Sequence, residues 1–369
     1  MKISVPKEIK NNENRVGLVP GGVRQLVGDG HELFVQKNAG IGIGITDEAY
    51  IKAGATIVDN LEAAYAAGEM IIKVKEPLEP EIKLLKPNQI LYTYLHLAAD
   101  KKLTTGLMES GATCIAYETI QLDDGSLPLL VPMSEVAGRM STQIGANYLQ
   151  TDKQGKGLLL GGVPGVRRGR VTIIGCGIAG TNAAKMAIGM GADVTLIDLS
   201  TRRLAEIDDL FENKITTLYS NAQNIEESVI RSDLVIGAVL IPGAKAPKLV
   251  TRDMISQMGK GSVVVDIAVD QGGCIETCRP TTHEDPTFIV DGVVHYCVAN
   301  MPGAVASTST FALTNVTLKY ARSIAKLGVE KACLKDKPLQ KGVNIYKGKL
   351  AYEAVAADLD LPYTPFLTD

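Results

Sequence analysis

Ten residues in the middle of the chain, Val171-Thr-Ile-Ile-Gly175-Cys-Gly177-Ile-Ala-Gly180, restrict the fold more than any other stretch. Four apolar or β-prone residues run directly into a G-x-G-x-x-G pattern, and helical composition follows as far as Gly191. A strand that ends in such a loop and feeds a helix opens a βαβ unit. Gly175 allows the tight turn, Gly177 keeps the backbone bare for a ligand, and Gly180 lets helix and strand pack closely. The helix N-terminus then presents unpaired N–H groups and a partial positive charge, a setting suited to phosphate.

Glycine-rich turns are common, so the surroundings decide. The next predicted strand, Val194 to Ile197, is followed at once by Asp198. A carboxylate there accepts hydrogen bonds from the hydroxyls of an adenosine ribose and repels a 2′-phosphate. The loop therefore reads as the pyrophosphate site of a dinucleotide, with NAD expected over NADP. Arg202 and Arg203 follow closely and pull the other way, because either could neutralise a 2′-phosphate.

At 369 residues the chain is too long for one ordinary core, and two domains are expected. Net charge is −3 with both signs dispersed and no basic stripe, which argues against nucleic acid as a partner. Lys7, Glu8 and Lys10 interrupt the N-terminal stretch before a signal-type apolar run forms. Other apolar runs, such as Leu234 to Ile241, fall short of the ~20 residues of a membrane span. A cytoplasmic protein is the expectation. The cysteines at 114, 176, 274, 278, 297 and 333 lack the spacing of a metal site, so packed thiols and no metal are expected.

The predicted fold class is α/β, with two doubly wound domains. In the first third, Lys2 to Val5, Glu32 to Gln36, Thr56 to Val58, Met70 to Val74, Ile90 to Tyr94 and Thr113 to Tyr117 read as strands. They alternate with helical stretches such as Asp47 to Ala53 and Leu61 to Ala66, which implies a mostly parallel sheet. A helix over Glu135 to Leu149 links the domains. A second set of strands follows at Val171 to Ile174, Val194 to Ile197, Ile215 to Leu218, Leu234 to Ala238 and Val263 to Ile267, with a β-rich pair over Phe288 to Val298. Ser307 to Ala325 and Leu350 to Leu359 read as helices. The tail is too small to fold alone and is expected to return to the first domain. The expected division is 1–128 with 307–369 for the substrate domain, and 129–306 for a Rossmann-type NAD-binding domain.

Ligands in open α/β sheets lie outside the carboxyl ends of the strands. Arg15 lies in a polar loop after the first strand, Lys75 and His96 end the fourth and fifth, and Asp270 follows Val263 to Ala268. Each has a plainer reading: a solvated arginine, a lysine paired with Glu76, a structural histidine, and a helix cap.

The runs Pro6 to Val16, Lys73 to Pro77, Met133 to Arg139, Ile173 to Asp198, Pro242 to Pro247, Asp266 to Gly273 and Cys297 to Pro302 resemble the alanine dehydrogenases and the NAD-binding subunits of proton-translocating transhydrogenases. The resemblance covers nearly the whole chain; Cys176 and the apolar stretch Ile41 to Ile45 are its small departures. It implies reversible NAD-dependent oxidative deamination of L-alanine to pyruvate and ammonium by a homohexamer. It implies that Arg15 and Lys75 hold the substrate and that His96 and Asp270 handle protons. For NAD it implies Ser134, Gly175, Gly177, Ile178, Ala179, Gly180, Asp198, Arg203, Ser220, Val239, Leu240, Ile267, Asp270, Arg279, Val298, Asn300 and Met301. The rival readings are a transhydrogenase subunit, which only binds NAD until it meets membrane partners, and an opine- or saccharopine-type dehydrogenase.

Overall fold

The computed structural model describes residues 1–239, 246–269 and 272–367. Asp270 and Leu240, both expected at the site, lie outside the described residues. The chain divides into two compact units, Met1–Met133 with Val305–Asp369, and Ser134–Ala304.

The first unit is built on strands β1 (Lys2–Val5), β2 (Glu32–Gln36), β3 (Thr56–Val58), β4 (Met70–Ile72), β5 (Ile90–Thr93) and β6 (Thr113–Ala116). These six are parallel in the order β3-β2-β1-β4-β5-β6. Every residue of β4, β5 and β6 is buried, as expected of strands covered on both faces. One face packs in a cluster that includes Ile3, Val5, Ile72 and Tyr92, with Leu313 and Ile324 of the helix Ala306–Leu327. The other face packs Ile71, Leu91 and Cys114 with Leu103 and Leu107.

Two further strands, which the sequence reading lacked, extend this sheet antiparallel beyond β6. They are β14 (Val343–Tyr346) and β15 (Lys349–Leu350), joined through Lys347 and Gly348. Both turn residues have positive φ, 49° and 79°, as a tight hairpin turn requires. The helix expected to start at Leu350 starts instead at Glu353, because Leu350 pairs across the hairpin with Ile345.

The second unit carries β7 (Arg170–Ile174), β8 (Asp193–Asp198), β9 (Thr216–Tyr219), β10 (Leu234–Gly237), β11 (Val263–Asp266), β12 (Thr287–Val290) and β13 (Val293–Tyr296). Their order is β12-β13-β11-β10-β7-β8-β9, parallel except for the β12–β13 pair. Chain progression reverses between β7 and β10, so the crevice above those two strands is the topological switch point. The helix Val131–Tyr148 runs across the chain division between Met133 and Ser134. It begins before Pro132 rather than after it, since a missing N–H costs nothing in a first turn.

Candidate functional site

At the switch point of the second unit, Gly175 has φ +105°, and a Cβ there would lie 2.8 Å from the carbonyl oxygen of Ala238. A Cβ on Gly180 would come within 1.8 Å of the Gly175 carbonyl oxygen, so only glycine permits this approach of helix to loop. A Cβ on Gly177, by contrast, would meet nothing within 4 Å. The space above that backbone is open, immediately before the helix Ile178–Gly189. Loop, open space and helix N-terminus together match the requirements of a dinucleotide pyrophosphate.

Asp198 holds this loop in place. Its carboxylate accepts from the backbone N–H groups of Cys176 (2.7 Å) and Ser200 (2.8 Å), and its carbonyl accepts from the N–H of Ser220 (2.9 Å). Arg203 donates from Nε to the Cys176 carbonyl (3.0 Å), from Nη2 to Thr181 Oγ1 (3.0 Å) and from Nη1 to Glu206 (2.8 Å). Ala179 is backed by the helix that begins at Val131, where a Cβ on Gly138 would lie 2.1 Å from the Ala179 carbonyl oxygen. Ser134 stands on that same helix. Val239 follows β10 directly, and Ile267 follows β11 and donates its N–H to Gly237. Val298 and Met301 are buried beyond β13, and Asn300 there takes a left-handed conformation, φ +58°. Arg279 stands against the β12–β13 hairpin, its guanidinium over the Phe288 ring.

Buried at the end of β11, the Asp266 carboxyl was not foreseen. Its Oδ1 accepts from the Ala268 N–H (3.1 Å), while Oδ2 has no hydrogen-bond partner among the described residues. Burial pushes its pKa up to about 6, against the opposing pull of loop N–H groups and Lys248. Lys248 itself donates to the carbonyls of Gly272, Gly273 and Ile275.

In the first unit the switch point lies between β1 and β4, and charged side chains stand at it. Arg15, in the segment after β1, is only 2 % exposed. Glu13 grips it through two bonds, Nε to Oε1 (2.7 Å) and Nη2 to Oε2 (2.6 Å). Burial works against the guanidinium charge, but Glu13 outweighs it and the pKa is raised. Lys75 follows β4. Burial lowers the pKa of its ammonium, the charges of Lys10 and Arg15 lower it further, and Glu76 and Glu13 oppose them. The expected pairing with Glu76 is loose, 3.9 Å, because Glu76 is engaged by Lys10.

Beneath Lys75 lies a buried ionic group that sequence reasoning missed. Lys73 is wholly buried between Glu8 (2.9 Å) and Glu81 (2.6 Å). The other Glu8 oxygen accepts from the N–H of Val74 (2.7 Å) and Lys75 (3.4 Å), so this ion group fixes the backbone that carries Lys75.

His96 comes two residues after Tyr94, beyond β5, with φ +52° and a side chain 44 % exposed. Its ring stacks on Tyr94 at 5.9 Å, interplanar angle 6°. Glu118, beyond β6, accepts from the N–H groups of Leu95 (3.0 Å) and His96 (2.6 Å) and lies 3.9 Å from His96 Nδ1. The left-handed turn is thereby pinned, and the imidazole faces solvent with a carboxylate beside it. Glu8, Glu13 and Lys73 lie in runs that carry the family resemblance but were given no role there, and Glu81 and Glu118 lie in no such run.

Two mostly parallel sheets with switch-point sites, one of them a glycine loop on a helix N-terminus, define an α/β protein with a Rossmann-type dinucleotide-binding domain. The family profile described as "Alanine dehydrogenase/PNT, N-terminal domain" matches residues 4–137, and "Alanine dehydrogenase/PNT, C-terminal domain" matches 141–353. The chain belongs to the alanine dehydrogenase/PNT family. It is 58% identical over 366 residues to an alanine dehydrogenase of Methanococcus maripaludis, covering 99% of this chain and 98% of that one. Against the alanine dehydrogenase of Geobacillus stearothermophilus it is 58% identical over 365 residues, with the same coverage. A solved L-alanine dehydrogenase structure superposes with a TM-score of 0.95 at 52% identity, covering 98% of this chain and 99% of that one. Among the described residues no helix is long and apolar enough to cross a membrane, and no group of three or more His, Cys, Asp or Glu could hold a metal ion.

Proposed function

We propose that this chain catalyses the reversible oxidative deamination of L-alanine: alanine, NAD⁺ and water give pyruvate, ammonium, NADH and a proton. The observation that carries the reading is its near full-length kinship, at 58% identity, with proteins called alanine dehydrogenase. The second unit is the NAD domain. Gly175, Gly177, Ile178, Ala179 and Gly180 would hold the pyrophosphate, Asp198 the adenosine ribose, and Arg203 and Ser220 the walls of that subsite. Ser134, Val239, Leu240, Ile267, Arg279, Val298, Asn300 and Met301 complete the proposed contacts. When bound, NAD supplies the hydride acceptor.

The first unit is the substrate domain. Arg15, kept charged by Glu13, pairs with the substrate carboxylate through its planar fork. Lys75 polarises the carbonyl oxygen of pyruvate. His96 moves the proton of the water that adds to the imine carbon, and returns one as the carbinolamine releases ammonia. Asp270 stabilises the developing iminium charge. The reading includes a homohexamer working in the cytoplasm, the assembly that the family resemblance implies.

The test is NADH oxidation by the purified chain with pyruvate plus ammonium, and light scattering on the same sample. We expect turnover that requires both co-substrates, and a mass of six chains. Silence in the assay while NADH still binds contradicts the dehydrogenase reading and leaves a binding subunit.

A further inference from the structure

Cofactor choice in a site of this kind is usually argued from the acidic residue at the end of the second strand. Here the surroundings of Asp198 contain a second device. Arg202 and Arg203, two cations on the first turn of the helix Thr201–Phe211, follow Asp198 closely in the chain and are the nearest candidates in sequence for a counter-charge to a 2′-phosphate. Neither is uncommitted. Glu206, one turn further along the same helix, accepts from Arg202 Nε (3.1 Å) through Oε1 and from Arg203 Nη1 (2.8 Å) through Oε2. The remaining arms of the Arg203 fork are bonded to the Cys176 carbonyl and to Thr181 Oγ1, so its guanidinium is turned inward against the glycine loop.

We propose that Glu206 is a determinant of cofactor specificity, holding Arg202 and Arg203 so that neither serves as a counter-ion for a 2′-phosphate. The inference rests on the NAD reading above and extends it to a residue that reading does not use. Asp198 and Glu206 then act in two ways. Asp198 repels the phosphate and accepts from the ribose hydroxyls. Glu206 engages the two cations that would oppose that repulsion and offsets one of their two positive charges. For NAD it is neutral, since no phosphate requires Arg202, and the bonds of Arg203 to Cys176 and Thr181 do not pass through Glu206. Both ion pairs are solvent-exposed, so the expected effect is modest and falls with added salt.

The test measures dissociation constants of NADH and NADPH by fluorescence titration at low and high salt for the wild type, Glu206→Gln, Asp198→Gly and the double variant. Glu206→Gln keeps the shape and removes the charge. We expect it alone to tighten NADPH about threefold, and in the Asp198→Gly background about tenfold, leaving NADH within a factor of about two and losing the gain at high salt. Equal shifts for the two dinucleotides, or no change for NADPH in either background, overturn the assignment of Glu206. Failure of the wild type to bind NADH at all would instead overturn the NAD reading, and this inference with it.

Discussion

In the first unit the parallel strands run β3-β2-β1-β4-β5-β6, and in the second β9-β8-β7-β10-β11-β13, so each sheet has a switch point beside its own first strand. What stands at the two switch points differs in kind. In the second unit the working surface is backbone: bare glycines, helix N–H groups and a carboxylate that ties the loop down. In the first it is polar side chains: Arg15 in the segment after β1, Lys75 after β4 and His96 beyond β5, each with a carboxylate beside it. One topology thus carries a cradle suited to a dianionic diphosphate and, separately, a set of polar side chains suited to a small carboxylate. The comparison teaches that a backbone site is made by what is left out, while a charge site is made by what is placed behind it.

The largest expected effect attacks the charged side. Glu13→Ala leaves the Arg15 guanidinium buried without its bidentate partner, which should destabilise the chain by about 3–5 kcal/mol and raise the KM for pyruvate. Chemical denaturation checks the first, and steady-state kinetics the second. A variant of wild-type stability would show that Arg15 does not depend on Glu13.

Next is the backbone side. Gly180→Ala inserts a Cβ 1.8 Å from the Gly175 carbonyl oxygen. Loop and helix must part, and NADH affinity should fall about 100-fold in a fluorescence titration, since a displaced donor array no longer meets the phosphates. Unchanged affinity would mean that close packing of the loop is dispensable.

Asp266 gives a smaller effect with a defined sign. Its folded pKa, about 6, lies above that of an unfolded aspartate, so the native state holds the proton more tightly. Stability therefore falls as pH rises from near the unfolded value through about 6, and the full penalty is present above that. Asp266→Asn keeps a carbonyl for the Ala268 N–H and should raise stability at neutral pH by about 2 kcal/mol, with no gain in acid below both pKa values. Thermal unfolding across that range tests it, and equal stability of the two proteins at neutral pH would refute it.

The smallest expected effect belongs to Lys10→Met. It removes a cation near Lys75 and releases Glu76 from its ion pair, and both changes raise the Lys75 pKa. The alkaline limb of kcat/KM for pyruvate should move to higher pH, towards that of an ordinary lysine. A shift to lower pH would contradict the electrostatics drawn here.

The same contrast explains what was legible in the sequence. The glycine loop could be read because its three glycines, the apolar strand before them and Asp198 fall in one short stretch. Arg15 in its polar loop, and Lys75 and His96 at predicted strand ends, stood out as residue types at the right places, but with plain alternatives for each. Their supports did not stand out, because Glu8 reaches Lys73 and Glu118 reaches His96 only after the strands between them are aligned. The hairpin Val343–Leu350 escaped for a related reason: its short strands gain their stability by pairing beyond β6, not from local propensity. Leu350 was read as helical when its burial comes from the sheet.

The central claim is that side chains beyond the strand ends of the first sheet do the acid–base work while the glycine loop of the second holds the dinucleotide. The most direct test is His96→Ala, with turnover for pyruvate plus ammonium and the dissociation constant of NADH measured on the same preparation. The account predicts a fall in kcat of about 100-fold or more with NADH binding within a factor of about two of the wild type. Near-normal turnover, or a parallel loss of NADH affinity, would contradict it.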